Sequence, residues 1–451
     1  MGKDISRRDF IKAAGAGALA LGTAAACKPG SGRRSDPAAG ISEGMPLRTN
    51  PNTGDKVSIL GYGCMRWQMI QGPDGRQIVD QDSVNELVDY ALANGVNYFD
   101  TSPVYLQGQS EAAAGIALSR HPRNSYYLAT KLSNQSGDPS FERSVQMYRD
   151  SFKNLQTDYI DYYLIHIVRD GNDWRRRAVD NGMMDFLVRE REAGCIRNLG
   201  LSVHPSRSGF DEVMTYHEKY HFDFCQIQMN YVDWYDGDAE YLYNELDKRG
   251  IPVVIMEPLL GGRLSSVPKV VADQFKEREP DASVASWAFR FCGSKPRVLT
   301  ALSGMTYMEH LQDNLKTFLN FKPLTDEEMD FLKEAAGLIK NYPLIDCTNC
   351  QYCMPCPYGI DIPTIFKHYN SCVNDGYIAQ STDQKDFKKL KKIYLTTYDK
   401  AIETVRQADH CISCNQCSPH CPPAHPNTPG TPSHRPIRRV AQAGDPVARR
   451  P

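Results

Sequence analysis

From residue 45 to about residue 323 the chain repeats one pattern eight times: a short apolar run, then an amphipathic helical stretch. The runs fall at 59–63, 96–100, 126–130, 162–166, 199–203, 224–228, 252–256 and 298–302. Short apolar runs bounded by turn signals suit strands buried on both faces, and intervening helices make such strands parallel. The clearest helix spans 83–93, where Val84, Leu87, Val88, Ala91 and Leu92 fall at i, i+3, i+4, i+7 and i+8. Asn94 and Gly95 end it, because both tolerate the left-handed backbone of a C-cap. Eight strand–helix units in roughly 250 residues is the count for a TIM (β/α)8 barrel, so the expected class is α/β. A doubly wound sheet is the alternative, but the Gly-x-Gly-x-x-Gly fingerprint is missing after the first run.

Such barrels work at the C-terminal ends of their strands. Asp100, with Tyr105 five residues on, then Lys131, then His166 stand at the ends of the second, third and fourth runs. A tyrosine, with a reference pKa of about 10, needs help to exchange a proton near neutrality. An ammonium beside it favours the phenolate, and a carboxylate holds the ammonium in place. Tyr105 is therefore expected to protonate a carbonyl oxygen as hydride reaches the carbon. Lys131 would tune it, Asp100 would pair with Lys131, and His166 would orient the carbonyl. Each residue alone is equally well explained as a buried polar group satisfied by neighbours; four at successive strand ends argue against that.

A second chemistry lies beyond the barrel. Eight of the fourteen cysteines form two combs, Cys347, Cys350, Cys353, Cys356 and Cys411, Cys414, Cys417, Cys421, each followed by proline. The second reads C-x2-C-x2-C-x3-C-P, a 4Fe-4S cluster run in which the fourth cysteine of each comb serves the other cluster. The expected ligand sets are Cys347, Cys350, Cys353 and Cys421 for one cluster, and Cys411, Cys414, Cys417 and Cys356 for the other. Structural zinc is the rival, but zinc sites usually present two cysteine pairs a dozen or more residues apart. Disulfides fit less well, because neighbouring thiols in both loops would have to find distant partners. Around the combs, Thr325, Asp326, Glu327 and Glu328 cap a helix over 324–340 with Met329, Leu332, Ala336 and Ile339 inward. A second helix follows Pro363 with Ile365, Tyr369 and Val373 inward, and a third is expected over 387–398.

With these residues the chain resembles the aldo/keto reductase family, and most of all its subgroup with a C-terminal ferredoxin-type segment. Asp100, Tyr105, Lys131 and His166 match the family's catalytic tetrad, and the likeness runs from 54–63 to Asp313 and Asn314. The resemblance implies reduction of a carbonyl, or oxidation of an alcohol, with NADP or NAD. It puts Ser202 and Gln226 on the nicotinamide amide and Asn314 on the adenine. There are departures. The family's Ser-Asn pair reads Ser202-Val203, its nicotinamide-stacking tyrosine aligns with Met256, and its 2′-phosphate bases align with Gly304 and His310. Nicotinamide also delivers an electron pair whereas clusters take single electrons, and no fingerprint of a mediating flavin is visible. The alternative is a barrel that works without nicotinamide, as an electron-transfer or binding module of an envelope complex.

The expected domains are 1–27, 28–44, 45–323, 324–421 and 422–451. The first carries Ser6-Arg7-Arg8-Asp9-Phe10-Ile11-Lys12, a twin-arginine export motif, before the apolar stretch 13–26. That route carries folded proteins, so clusters built in the cytoplasm travel inside their protein to the periplasm or cell envelope. Ala24-Ala25-Ala26-Cys27 reads as a lipobox, which would make the chain a lipoprotein anchored at Cys27, or as an Ala-x-Ala peptidase site. Residues 28–44 form a flexible tether, and 45–323 are the barrel. Residues 324–421 are a linking helix and a small ferredoxin-like helical domain with two clusters. Residues 422–451 hold eight prolines and five arginines without a leucine, lysine or aromatic, a composition expected to be disordered and to follow a reading-frame shift after Cys421.

A net charge of −2 gives no electrostatic case for nucleic acid. The expected partners are the small-molecule substrate and a redox protein. Cys64, Cys195, Cys225, Cys292 and Cys372 are expected as buried small hydrophobes, with Cys64 the one to check for reactivity. Arg175, Arg176 and Arg177 are expected in a solvated loop.

Overall fold

A computed structural model describes residues 44–421 apart from 136, 205, 206, 380, 382 and 413. The twin-arginine segment, Cys27, the tether up to residue 43 and the tail from residue 422 lie outside the described residues. All eight apolar runs form strands: β1 Leu60–Gly63, β2 Tyr98–Asp100, β3 Tyr127–Leu132, β4 Ile160–Val168, β5 Ile196–Val203, β6 Phe224–Gln228, β7 Val253–Met256 and β8 Val298–Ser303. They pair in chain order, all parallel, into a closed barrel. β8 returns to β1 with Ala301 opposite Leu60, Leu302 opposite Gly61 and Ser303 opposite Tyr62. The TIM barrel is the fold.

The barrel interior is filled by aromatic side chains rather than by a channel. Tyr98, Tyr127, Tyr162 and Phe224 meet edge to face, with the Tyr162 ring 5.0 Å from Tyr98, 6.1 Å from Tyr127 and 5.1 Å from Phe224. A hairpin of Leu47–Thr49 and Lys56–Ser58 closes the lower end, where Val57 joins this interior cluster and the Asn50 amide donates to the Tyr162 hydroxyl at 3.2 Å. Outside, the helices lay their apolar stripes on the sheet. Helix Gln81–Ala93 buries Val84, Leu87, Val88 and Ala91, as its spacing predicts. Its end differs slightly from expectation: Gly95 takes the left-handed backbone at φ +86°, whereas Asn94 stays at −103°.

The chain leaves the barrel through helix Asp326–Lys340. Thr325 and Glu328 form a capping box at its start, worth about 1 kcal/mol. Phe331, Leu332, Ala335, Ala336 and Ile339 bury this helix against the barrel's largest apolar cluster. Helices Ile362–Asn374 and Phe387–Ala401 then enclose a small separate core of Ile360, Ile362, Ile365, Cys372, Tyr394 and Tyr398. Ile365 and Val373 are buried as expected, and Tyr369 packs against the same core. Cys353, Cys356, Cys411 and Cys417 line its edge. Among the described residues no helix is long and apolar enough to cross a membrane.

Candidate active site

The ends of β2, β3 and β4 bring the four expected catalytic residues together. The Lys131 ammonium donates to Asp100 Oδ1 at 2.5 Å and to the Thr101 carbonyl at 2.8 Å. Both side chains are buried, so desolvation pushes Asp100 up and Lys131 down, and each charge restrains the other's shift. Tyr105 sits in a short helical turn just past β2, its ring centroid 5.1 Å from the Lys131 nitrogen and 5.7 Å from the His166 ring.

The tuning of Tyr105 runs opposite to expectation. Burial pushes its phenol well above the ordinary value, and Tyr352, Asp100, Glu257 and Cys64 push the same way. Lys131 lies near the ring, but its ammonium is committed to Asp100 and Thr101, and burial outweighs its effect on the phenol. The phenol keeps its proton and is equipped to donate it.

His166 is fixed from both sides. Its Nδ1 meets the Ser133 hydroxyl at 2.7 Å, and Ser133 meets Ser102 at 2.8 Å. Burial, then the charges of Lys131, His204 and Arg177, hold its pKa well below 6.5, so the ring is neutral. Arg177 is the surprise. The three arginines expected in a solvated loop, Arg175, Arg176 and Arg177, lie in a helical turn, Arg175–Val179, and the Arg177 side chain is wholly buried. It donates to the carbonyls of His166 at 3.0 Å and Ile167 at 2.9 Å, to Asn134 Oδ1 at 3.0 Å, and to Asp173 at 2.8 Å. A guanidinium with five donors is tolerated inside only when they are used, and here they clamp the end of β4. Ile167 needs the clamp: it is β-branched at φ +50°, a backbone such residues seldom adopt.

The expected nicotinamide residues lie on the neighbouring strands. Gln226 is buried with its Oε1 unpartnered, which suits an amide N–H. Ser202 Oγ accepts from the Ile167 N–H at 2.9 Å and keeps its own proton to donate. Asn314 is already tied to Ser303 Oγ at 2.9 Å. These residues fit the amide end of a nicotinamide. Cys64, beside Asp100, is fully buried and its thiol is pushed well above the usual range, chiefly by desolvation, so it is inert. Cys225, Cys292 and Cys372 are buried free thiols, as expected, whereas Cys195, though buried too, is engaged in a disulfide and is not the plain small hydrophobe its apolar surroundings suggest.

Thiols of the two combs lie close enough to act on one another. Burial, then Cys350, Cys421, Cys347 and Cys417 raise the Cys353 thiol. Burial raises Cys417, with Cys411, Cys356 and Cys414 as the contributing thiols. A cavity of about 340 Å³ is lined by Cys356, Cys411, Cys414 and Cys417 together with Cys353 and Tyr358. Among the described residues no three His, Cys, Asp or Glu side chains are close enough to share one metal ion. One ion, with thiolates at about 2.3 Å, needs its ligands tightly converged, whereas a cubane offers each thiolate its own corner and spreads them around a void. The donor set and the cavity therefore fit a cluster.

One residue of the first comb reaches the barrel. Tyr352, between Cys350 and Cys353, lies close enough to Tyr105 for the two phenols to influence each other's titration. Its ring is 6.5 Å from that of His166, at 76°. Nothing in the sequence marked Tyr352, Ser102, Ser133 or Arg177, because each acquires its role from where a loop turns.

Residues 60–336 match the aldo/keto reductase family, and residues 4–24 match the signal sequence of the twin-arginine translocation pathway, which directs export across the cytoplasmic membrane. The uncharacterized oxidoreductase YqkF of Bacillus subtilis is 24% identical over 308 residues, covering 61% of this chain and 92% of its own. L-galactose dehydrogenase of Arabidopsis thaliana is 28% identical over 264 residues, 57% of this chain and 79% of its own. The holo form of an aldo-keto reductase from Bacillus halodurans shares 25% identity and a TM-score of 0.53 over 64% of this chain and 96% of its own. A Klebsiella pneumoniae aldo/keto reductase solved with NADP and acetate has the same fold, with 21% identity and a TM-score of 0.51 over 65% of this chain and 95% of its own. The match covers the barrel and the exit helix and stops before the combs. This chain is an oxidoreductase and belongs to the aldo/keto reductase family.

Proposed function

We propose that the protein is an exported iron–sulfur reductase of small carbonyl compounds, or a dehydrogenase of the matching alcohols, acting in the periplasm or cell envelope. Two 4Fe-4S clusters would be held by Cys347, Cys350, Cys353 and Cys421, and by Cys411, Cys414, Cys417 and Cys356. A redox protein would exchange electrons with them, and Cys27 would carry a lipid anchor. Clusters of this kind carry single electrons; a nicotinamide, when bound, supplies hydride.

The chain's own residues handle the proton. Tyr105 gives its phenolic proton to the carbonyl oxygen while the carbon gains hydride, and takes a proton back from solvent afterwards. His166, neutral and fixed through Ser133 and Arg177, offers its ring edge to the same oxygen and orients it. Lys131, paired with Asp100, places positive charge near the ring where the phenolate forms. Gln226 and Ser202 would orient the nicotinamide amide, and Asn314 the adenine. The observation that carries this reading is the convergence of Asp100, Tyr105, Lys131 and His166 at the strand ends.

The test is a panel of aldehydes and ketones offered with NADPH or NADH to the full chain, reconstituted anaerobically with iron and sulfide. Tyr105→Phe should lower kcat by about 10²- to 10⁴-fold while leaving cluster absorbance unchanged. A variant as active as the parent would sink the proton-donor role. A second reading, a barrel that serves electron transfer without nicotinamide, is favoured by Met256 and Gly304 at positions where the family keeps a tyrosine and a base. Failure of either nucleotide to bind would select it.

A further inference from the structure

The first comb does more than carry cysteines: it lies across the barrel mouth. Arg66, just past β1, donates to the main-chain carbonyl of Thr348 at 2.5 Å and to that of Asn349 at 2.9 Å. On the far side Arg263 holds Asp346 at 2.9 Å, and Thr348 lies close to the Glu257 carboxyl just past β7. Between these holds the loop presses on Gly261, where a Cβ would fall 2.3 Å from the Thr348 carbonyl oxygen and 2.4 Å from its Cα. Gly261 also has φ +68°, so any other residue is excluded twice. Arg66 in turn lies on Gly304 at the end of β8, where a Cβ would meet its Cγ at 2.4 Å. Tyr352 ends the crossing against Tyr105 and His166.

The strip under this loop, from Met256 past Gly261 to Gly304, is the strip on which a dinucleotide would lie if Gln226 and Ser202 hold its amide end. Both glycines that let main chain approach the strip are used by the loop and by the arginine that grips it. Every hold named here is specific: two charged donors on consecutive carbonyls, one ion pair, and one phenol placed against the proton donor.

We infer that the first cysteine comb is a built-in occupant of the nicotinamide path, seated by Arg66 and ended by Tyr352, so that dinucleotide and seated loop exclude each other. The inference rests on the nicotinamide reading above. It gives Tyr352 a stated role as a positioning residue: it fills the space beside the Tyr105 hydroxyl when the loop is seated and vacates it when a dinucleotide enters. The apparent Kd is then the intrinsic Kd divided by the fraction of molecules with the loop lifted.

The test uses the full chain, anaerobically loaded with iron and sulfide, and NADPH as the probe, with binding followed by quenching of protein fluorescence. Tyr352→Ala and Arg66→Ala each remove one hold without touching a cysteine. Each should bind NADPH about tenfold or more tightly than the parent, a change on the scale of one or two lost hydrogen bonds to a charged donor. Visible cluster absorbance should be the same in all three proteins. Equal affinity in all three would overturn the inference alone and leave nicotinamide binding intact. No binding by any of them would overturn the nicotinamide reading, and the inference with it.

Discussion

The ring of Tyr352 stands edge-on to that of His166, with centroids 6.5 Å apart and planes at 76°. Tyr105 approaches the same imidazole at 5.7 Å and 78°. Three aromatic side chains, from the turn after β2, from β4 and from the first comb, therefore form one set. The first comb is seated on the barrel at the place where its chemistry is expected, a relationship that a ferredoxin-like module tethered at a distance would lack.

Asp100 and Lys131 are a wholly buried ion pair, and such pairs cost most when only one partner is removed. Asp100→Asn should lower unfolding free energy by about 3–5 kcal/mol, measured by urea denaturation. The double variant Asp100→Leu/Lys131→Met should lose clearly less than the two single losses added together. Additive losses would mean that the pair is not coupled in the fold.

Arg177→Met should behave as a core lesion although it lies in a run of three arginines. It strands the carbonyls of His166 and Ile167 and the carboxylate of Asp173, each then buried without its donor. A loss of at least about 3 kcal/mol is expected, whereas Arg176→Met, at a half-exposed position, should change stability by less than about 0.5 kcal/mol. Equal effects would show that Arg177 is solvated after all.

Acid should weaken the fold through its buried histidines. His166 is held well below 6.5 by burial first, and His204 is pushed down to about 4 by the same cause. The unfolded chain takes up these protons near pH 6.5 while the folded chain does not, so this part of the stability is whole above about pH 6.5 and is lost as pH falls. The urea midpoint of the parent should fall between pH 7 and pH 5 by more than that of His166→Gln. Identical pH profiles would show that His166 is not the buried neutral base described here.

The barrel was legible in the sequence because strands buried on both faces must be short apolar runs, and all eight runs became strands. The tetrad was legible for a related reason: strand ends are fixed once strands are, so Asp100, Lys131 and His166 can be placed from the sequence. The direction of the Tyr105 shift was not legible. It depends on how dry the site is and on where the Lys131 ammonium spends its hydrogen bonds. Arg177 was misread because three consecutive arginines look solvated, and only the turn at 175–179 decides which one points inward. Tyr352 was missed because its partners are more than 180 residues away, a distance set by the exit helix and the path of the comb. The hairpins Leu47–Thr49 with Lys56–Ser58 and Met69–Gln71 with Gln77–Val79 were missed too, since their strands of three residues are too short to show a period.

The proposed exchange of ligands between combs gives a prediction that a single-comb site does not. Cys421→Ser, in the second comb, should remove the cluster built on Cys347, Cys350 and Cys353. Cys356→Ser, in the first, should remove the one built on Cys411, Cys414 and Cys417. Each variant should retain about half the parent's iron, and the two surviving clusters should differ in their spectra. If each substitution instead removed the cluster of its own comb, the ligand sets would have to be redrawn.

Whether this aldo/keto reductase barrel carries the two proposed 4Fe-4S clusters is decided by iron content together with electron paramagnetic resonance. Full-length protein reconstituted anaerobically should contain about eight irons and about eight sulfides per chain, and on reduction it should show two interacting one-electron signals. Retention of one or two zinc ions, with no signal on reduction, would contradict the two-cluster proposal.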